Sequence, residues 1–130
     1  MSAVLGESQI SAFERKFIGR LAIDSNTATA VAGAATVKTC GMAVVTSESL
    51  STAAGADYTL TLTWPDVNAN DVAFCSVQNG TNTQGDSLLG SVTMSAGQIK
   101  VVIRNGHATQ AFNGTIVISC LLIQFRTPVH

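Results

Sequence analysis

Charge is scarce in this chain of 130 residues. Charged residues make up 12% of it and the net charge is −1, whereas about 25% charged residues are usual in soluble domains. This balance excludes the basic surface with which proteins bind nucleic acid. Since few charges must be desolvated on contact, we expect an oligomer with much of its surface covered by neighbours. The alternative is a monomer with a Thr-rich, weakly charged face.

Cysteine is also scarce. Cys40, Cys75 and Cys120 lie far apart, and neither a C-x-x-C pair nor Cys and His at metal-ligand spacing occurs. This excludes a zinc motif, and the odd count argues against a disulfide framework. Each cysteine lies in or beside an apolar run, so we expect reduced, buried thiols and folding in a cytoplasm. The sequence predicts no cofactor and no metal.

Long hydrophobic runs are missing, and we expect no signal peptide. The apolar start at residues 1–5 has no charged region before a long apolar one, and the apolar tract at 116–123 is too short to span a bilayer. We therefore expect no membrane partner. Asn79-Gly80-Thr81 and Asn113-Gly114-Thr115 match the glycosylation pattern, but without a secretory signal we interpret both as Asn-Gly turns.

Catalytic motifs are absent from the sequence. It has no glycine-rich phosphate loop and no G-x-S-x-G nucleophile elbow, and His107 lies beside an Asn-Gly turn. Residues 66–71 resemble the start of a calcium loop, but Asp71 and Val77 replace the required glycine and glutamate. An Asx-rich turn is the better interpretation, with a weak calcium site as the alternative. We expect no enzyme and no catalytic residue.

Strict alternation is the strongest pattern present. From Tyr58 to Trp64, large apolar side chains occupy every second position and threonines occupy the positions between them. Side chains of a strand alternate between two faces, whereas a helix would scatter the threonines around its axis. The pattern therefore predicts a strand with one buried face. Tyr58 and Trp64 fall on that face, so we expect them to pack in a core rather than stack on a sugar.

Similar short runs follow one another between Gly and Asn turns, which predicts six to eight strands in an antiparallel β-sandwich or jelly-roll-like domain over residues 35–130. The run at Thr115–Phe125 is apolar at nearly every position, so we expect it to be covered on both faces. The other runs are Thr36–Thr39, Met42–Thr46, Val72–Val77, Leu88–Met94 with a bulge at Gly90, and Gln98–Asn105.

Residues 1–34 differ from this domain and are interpreted as an N-terminal arm and linker, with a linker or irregular edge segment at Ser25–Ala35. A short helix is expected over Ala12–Phe17, with Ser8 or Ser11 as its cap and Glu14 three residues after Ser11 as in a capping box. Such a helix must pack on a body, either its own or a neighbour's. Two aromatic and three basic residues form the candidate partner-binding arm: Phe13, Arg15, Lys16, Phe17 and Arg20.

Several turn phrases occur in a characteristic order: Thr-Ala-Ala-Gly at 52–55, Tyr-Thr-Leu-Thr-Leu-Thr at 58–63, Val-Gln-Asn-Gly-Thr-Asn at 77–82, Val-Val-Ile-Arg-Asn-Gly at 101–106 and Phe-Asn-Gly-Thr at 112–115. Over residues 35–125 the chain resembles small β-sandwich proteins of tailed phages, in particular capsid decoration (cement) proteins. The resemblance implies a homotrimeric virion protein, assembled in the host cytoplasm, that binds the major capsid protein on the capsid surface. Related sandwiches serve as head fibres, tail adaptors or tail-fibre tips that bind a host receptor or glycan, which is the alternative.

Overall fold

A computed structural model describes residues 23–38 and 41–124, and these residues form eight strands and no helix. The all-β prediction is confirmed. The helix expected over Ala12–Phe17 and the five arm residues lie outside the described residues. The strands are β1 (Ser25–Thr29), β2 (Ala34–Thr36), β3 (Met42–Thr46), β4 (Asp57–Thr63), β5 (Val72–Asn79), β6 (Ser87–Ser95), β7 (Gln98–Asn105) and β8 (Ile116–Ile123).

Two four-stranded sheets make up the fold. Sheet A has the order β1-β3-β8-β5, and sheet B has the order β2-β4-β7-β6. The prediction of purely antiparallel sheets is wrong, because β1 pairs with β3 and β2 pairs with β4 in parallel. Between the two strands of each parallel pair, the chain forms one strand of the opposite sheet. This strand is β2 between β1 and β3, and β3 between β2 and β4. These crossings return the chain in the same direction and tie the two sheets together.

The first two strands correct the prediction of a linker or irregular edge segment over Ser25–Ala35, because this segment lies at sheet edges but forms regular strands rather than a linker. Both are edge strands, and β2 lies earlier in the chain than the strand expected at Thr36–Thr39. Most of their residues are exposed, with only Ala35 fully buried. Backbone pairing to β3 and β4, rather than an alternating apolar pattern, holds these strands. The sequence pattern therefore carried no signal for them.

The core lies between the inner faces of the sheets. Tyr58, Leu60 and Leu62 of β4 point inward, as predicted, opposite inward residues of β7. Trp64 is fully buried just beyond β4. Sheet A contributes alternate residues of β3 and β8 from the other side. Burial of each large side chain stabilises the domain by about 1.5–3 kcal/mol, so this alternation accounts for the pairing of the layers.

Two predicted local features are confirmed. The β6–β7 register shifts between Leu89 and Ser91, which places the bulge at Gly90. The turn between the same strands contains Gly97 with a φ of 73°, in the left-handed region that glycine adopts without steric cost. Before the bulge, Leu88 lies opposite Arg104 and Leu89 lies opposite Ile103, and both leucines are exposed.

Two loops clamp each other at one end of the sheets. Thr81 N donates to Thr115 Oγ1 at 2.9 Å, and Thr115 N donates to Thr81 Oγ1 at 2.8 Å. Asn113 accepts from Thr83 N at 2.7 Å and donates to Thr83 Oγ1 at 2.9 Å. A Cβ on Gly114 would lie 2.6 Å from Thr81 Oγ1. Glycine is therefore required there for the close approach of the loops.

A buried asparagine organises the neighbouring loops. Asn105 has no exposed surface, and its amide donates to Thr52 O at 3.1 Å and Gln110 O at 2.8 Å. Its Oδ1 accepts from Asp86 N at 3.2 Å and His107 N at 3.1 Å. The four bonds use the hydrogen-bonding capacity of the amide. Asn105 therefore joins three loops to the end of β7.

Candidate interaction surface

The outer face of sheet B carries hydroxyl and charged groups. Thr59, Thr61 and Thr63 point away from the core, as the alternation predicts. Beside them, Arg104 and Asp57 lie opposite each other on β7 and β4 and form an ion pair of 3.4 Å. An exposed pair of this kind contributes at most about 1 kcal/mol. These polar groups of sheet B are therefore solvated.

The outer face of sheet A is different in character. Among the described residues, none of the outward-facing side chains on its four strands is charged. At one end of the sheet these side chains are large and apolar. We call this end the apolar face and define it by five residues: Met42, Val72, Phe74, Leu121 and Ile123.

Register places the apolar face on three neighbouring strands. Leu121 of β8 lies opposite Met42 of β3 on one side and opposite Phe74 of β5 on the other. Phe74 is 62% exposed, Ile123 39% and Val72 37%. An open groove of about 260 Å³ runs between Met42, Phe74 and Leu121. Contiguous apolar surface of this kind marks interaction sites on soluble proteins.

Strand β8 is covered on its inward side, whereas its outward side, which belongs to the apolar face, is partly exposed. Its inward residues Ile116, Ile118 and Cys120 are fully buried, but Leu121 on the opposite side is half-buried and Ile123 is exposed. The sequence predicted cover on both faces of this strand. Within the described ranges the chain supplies cover on one face only.

The apolar face lies where the chain enters sheet A. Met42 N donates to Asp24 O at 3.0 Å, and Leu122 N donates to Gly41 O at 2.8 Å. The described part of the chain therefore begins beside Met42. The candidate arm residues Phe13, Arg15, Lys16, Phe17 and Arg20 belong to residues 1–22 and lie outside the described residues.

The remaining polar candidates have structural partners. His107 Nδ1 accepts from Thr109 N at 3.0 Å and Gln110 N at 2.9 Å, so the imidazole closes a turn. Asp71 is buried and accepts from Asn68 N at 2.8 Å, which confirms the Asx-rich turn. In the part of the chain that the structure describes, no three His, Cys, Asp or Glu residues are grouped to hold a metal. That part also contains no helix that could cross a membrane.

Tyr58 and Glu48 place buried polar atoms near each other, which the sequence did not indicate. Glu48 Oε2 accepts from Gly33 N at 2.8 Å, while Glu48 Oε1 and the Tyr58 hydroxyl are buried without a hydrogen-bond partner among the described residues. Burial, and secondly the Glu48 carboxylate, raise the pKa of Tyr58 above its ordinary value. Tyr58 and Trp64 are both in the core, so neither presents a ring to a sugar.

Sequence reasoning did not find the apolar face because the first half of β5 is apolar on both sides. Its inward residues Ala73, Cys75 and Val77 are small, whereas Val72 and Phe74 on the outward side include the largest side chain. The nearly continuous apolar pattern of β8, interrupted at Ser119, was the one signal, since it indicated that both faces of this strand are covered.

No family model, curated protein or solved structure matches this chain. By its fold and surface, the chain is a β-sandwich-like, all-β domain of two mixed four-stranded sheets with an uncharged outer face on sheet A, apolar at one end.

Proposed function

We propose that this chain is a non-enzymatic structural subunit of a tailed-phage virion, specifically a capsid decoration (cement) protein bound to the major capsid protein on the outside of the head. The observation that supports this proposal is the apolar face of sheet A. In this proposal the domain is jelly-roll-like and is preceded by a partner-binding arm. Because β1 belongs to sheet A, the arm consists of residues before Ser25 rather than the whole of residues 1–34.

A structural subunit accounts for both outer faces. Sheet B is hydrated by its threonines and its ion pair, whereas the apolar face of sheet A carries no charge that must be desolvated on contact. Such a face gains from burial at about 25 cal/mol per Å². On a shell the same contact recurs at symmetry-related positions, so weak individual contacts add up to firm attachment.

The proposed binding partner of the apolar face is the N-terminal arm of a neighbouring copy within a homotrimer. The arm joins β1 beside Met42, and continuing β1 backwards past Ser25 leads beyond the end of the sheet. Its 24 residues span roughly 80 Å when extended, against about 14 Å for the width of a four-stranded sheet. Phe13 and Phe17 supply the apolar groups that the groove lacks.

Charge also favours this occupant. Arg15, Lys16 and Arg20 are concentrated in the arm, whereas Asp66 is exposed close to the end of β8, where its carbonyl accepts from Gln124 Nε2 at 2.7 Å. Opposite charges on two partners steer their encounter and set their register. The basic side chains of the arm would then approach the acidic body of the next copy.

The alternative is a head-fibre, tail-adaptor or tail-fibre module that binds a host receptor or glycan. The two aromatic residues considered for sugar stacking, Tyr58 and Trp64, are buried. Phe74 is the exposed aromatic side chain in the described part of the chain, and it lies on the apolar face. This arrangement favours a protein partner over a sugar.

Deletion of residues 1–20 tests the arm. We expect a folded domain, judged by the fluorescence of buried Trp64, that sediments as a monomer and no longer occupies undecorated capsids. The full chain with Arg15, Lys16 and Arg20 changed to Gln is the matched comparison, because it keeps both phenylalanines. Undiminished capsid occupancy by the deletion variant would reject the role of the arm. A wild-type monomer at all concentrations would reject exchange between copies.

A further inference from the structure

Two of the three cysteines meet inside the domain. Cys75 of β5 and Cys120 of β8 lie directly opposite each other in an antiparallel pair. Their sulfur atoms are 2.9 Å apart on the inner face of sheet A. Both thiols are free. Opposed residues of an antiparallel pair have Cα atoms about 4.5–5.5 Å apart, within the roughly 4.4–6.8 Å that a disulfide spans. The backbone therefore already has the spacing for a bridge.

The two thiols differ in accessibility. Cys120 lies on a central strand and is fully buried, whereas Cys75 lies on the edge strand β5 and is half-buried. The adjacent Cys120 thiol lowers the pKa of Cys75, while the contact with Cys75 and burial raise the pKa of Cys120. Because the thiolate is the nucleophile, Cys75 is the residue that reacts first.

We propose that Cys75 and Cys120 are a reversible disulfide site, oxidised by exchange with a small-molecule disulfide such as oxidised glutathione. The Cys75 thiolate attacks one glutathione sulfur, and the other glutathione leaves as a thiolate. Cys120 then attacks the Cys75 sulfur of the mixed disulfide, and the second glutathione leaves. The Cys120 proton passes to a departing glutathione thiolate. Two protein thiols and one oxidised glutathione thus give one protein disulfide and two reduced glutathiones.

The bridge would tie edge strand β5 to central strand β8 between residues 45 positions apart in the chain. Phe74 is the immediate neighbour of Cys75 and faces outward. The disulfide therefore holds the strand that carries the most exposed part of the apolar face. This inference rests on the two thiols alone, and it stands whether or not the chain is a virion protein.

The first experiment uses the full chain with Cys40→Ala, which leaves only the proposed pair. The folded protein is incubated with oxidised glutathione, blocked with iodoacetamide and digested with trypsin without reduction. Cleavage after Lys38, Lys100 and Arg104 puts Cys75 and Cys120 in different peptides. We expect these peptides to be linked, with the loss of two hydrogen atoms from the intact mass, and to separate after treatment with dithiothreitol.

Two single variants in the same background test the order of attack. With Cys120→Ser no resolving thiol remains, so a glutathione adduct should accumulate on Cys75. With Cys75→Ser the buried Cys120 should form the adduct at least tenfold more slowly. Trp64 fluorescence verifies folding of both variants. Equal adduct rates would overturn the assigned order.

The wild-type protein keeps the inference testable if a variant does not fold. Its linked tryptic peptides are sequenced to distinguish a Cys75–Cys120 bridge from one that uses Cys40. The disulfide site would be overturned if iodoacetamide still alkylated both cysteines of the folded protein, under conditions that oxidise the urea-unfolded chain. Disulfide-linked dimers as the main product on a non-reducing gel would overturn it as well.

Discussion

The exposed side chain of Phe74 makes the sharpest prediction about the apolar face. An aromatic side chain buries roughly 200 Å² when fully covered, and 62% of Phe74 is still exposed. About 120 Å² therefore remains to be buried, which corresponds to roughly 3 kcal/mol at about 25 cal/mol per Å². Phe74→Ser should weaken association between copies by up to about 100-fold in Kd.

Sedimentation velocity over a range of protein concentrations measures this change. Leu88→Ser is the matched control, because Leu88 is 51% exposed and points outward from sheet B. It removes a similar apolar side chain from the other outer face, and we expect it to leave association unchanged. Phe74→Ser should change the free energy of unfolding by less than about 0.5 kcal/mol, since the side chain lies outside the core.

The reasoning would be refuted by either of two results. Unchanged association of Phe74→Ser would mean that the apolar face is not the contact between copies. An equal loss in Leu88→Ser would mean that general surface hydrophobicity, rather than the apolar face, drives association. Urea unfolding followed by Trp64 fluorescence confirms that both variants remain folded.

Three further predictions concern the domain itself. Asn105→Ala removes four hydrogen bonds from buried loops, so it should lower the free energy of unfolding by about 3–4 kcal/mol; a loss below about 1 kcal/mol in urea unfolding would contradict its organising role. Gly114→Ala places a Cβ 2.6 Å from Thr81 Oγ1, and calorimetry should show a loss of about 1–3 kcal/mol, whereas an unchanged Tm would mean that the loops separate freely. Tyr58→Phe should be neutral or stabilising at pH 7, because the hydroxyl lacks a partner. The pKa of Tyr58 is raised in the folded state. The wild type should therefore lose stability relative to Tyr58→Phe as the pH rises above about 10, where the unfolded tyrosine ionises. Parallel pH profiles of the free energy of unfolding for the two proteins would contradict this.

Local patterns predicted the features that depend on neighbouring residues. The alternation from Tyr58 to Trp64 predicted both the strand and its buried face. Gly90 predicted the bulge, and Gly97 marked the turn. These features follow from the backbone conformation that each residue type allows and from the two-residue period of a strand. Residues far apart in the chain do not change them.

Contacts between distant residues decided the rest. Strands β1 and β2 have no alternating pattern of their own, and they exist because β3 and β4 offer them backbone partners. The first half of β5 is apolar on both sides, and its register with β8 decided that Phe74 faces outward and Cys75 faces inward toward Cys120.

The sequence by itself determined a strand-rich, weakly charged domain with a core around Trp64. Only the tertiary structure decided which apolar surface was left uncovered and which thiols became neighbours. The physical reason is that periodicity records the two sides of one segment, whereas the choice of inner side is made by the layer that packs against it.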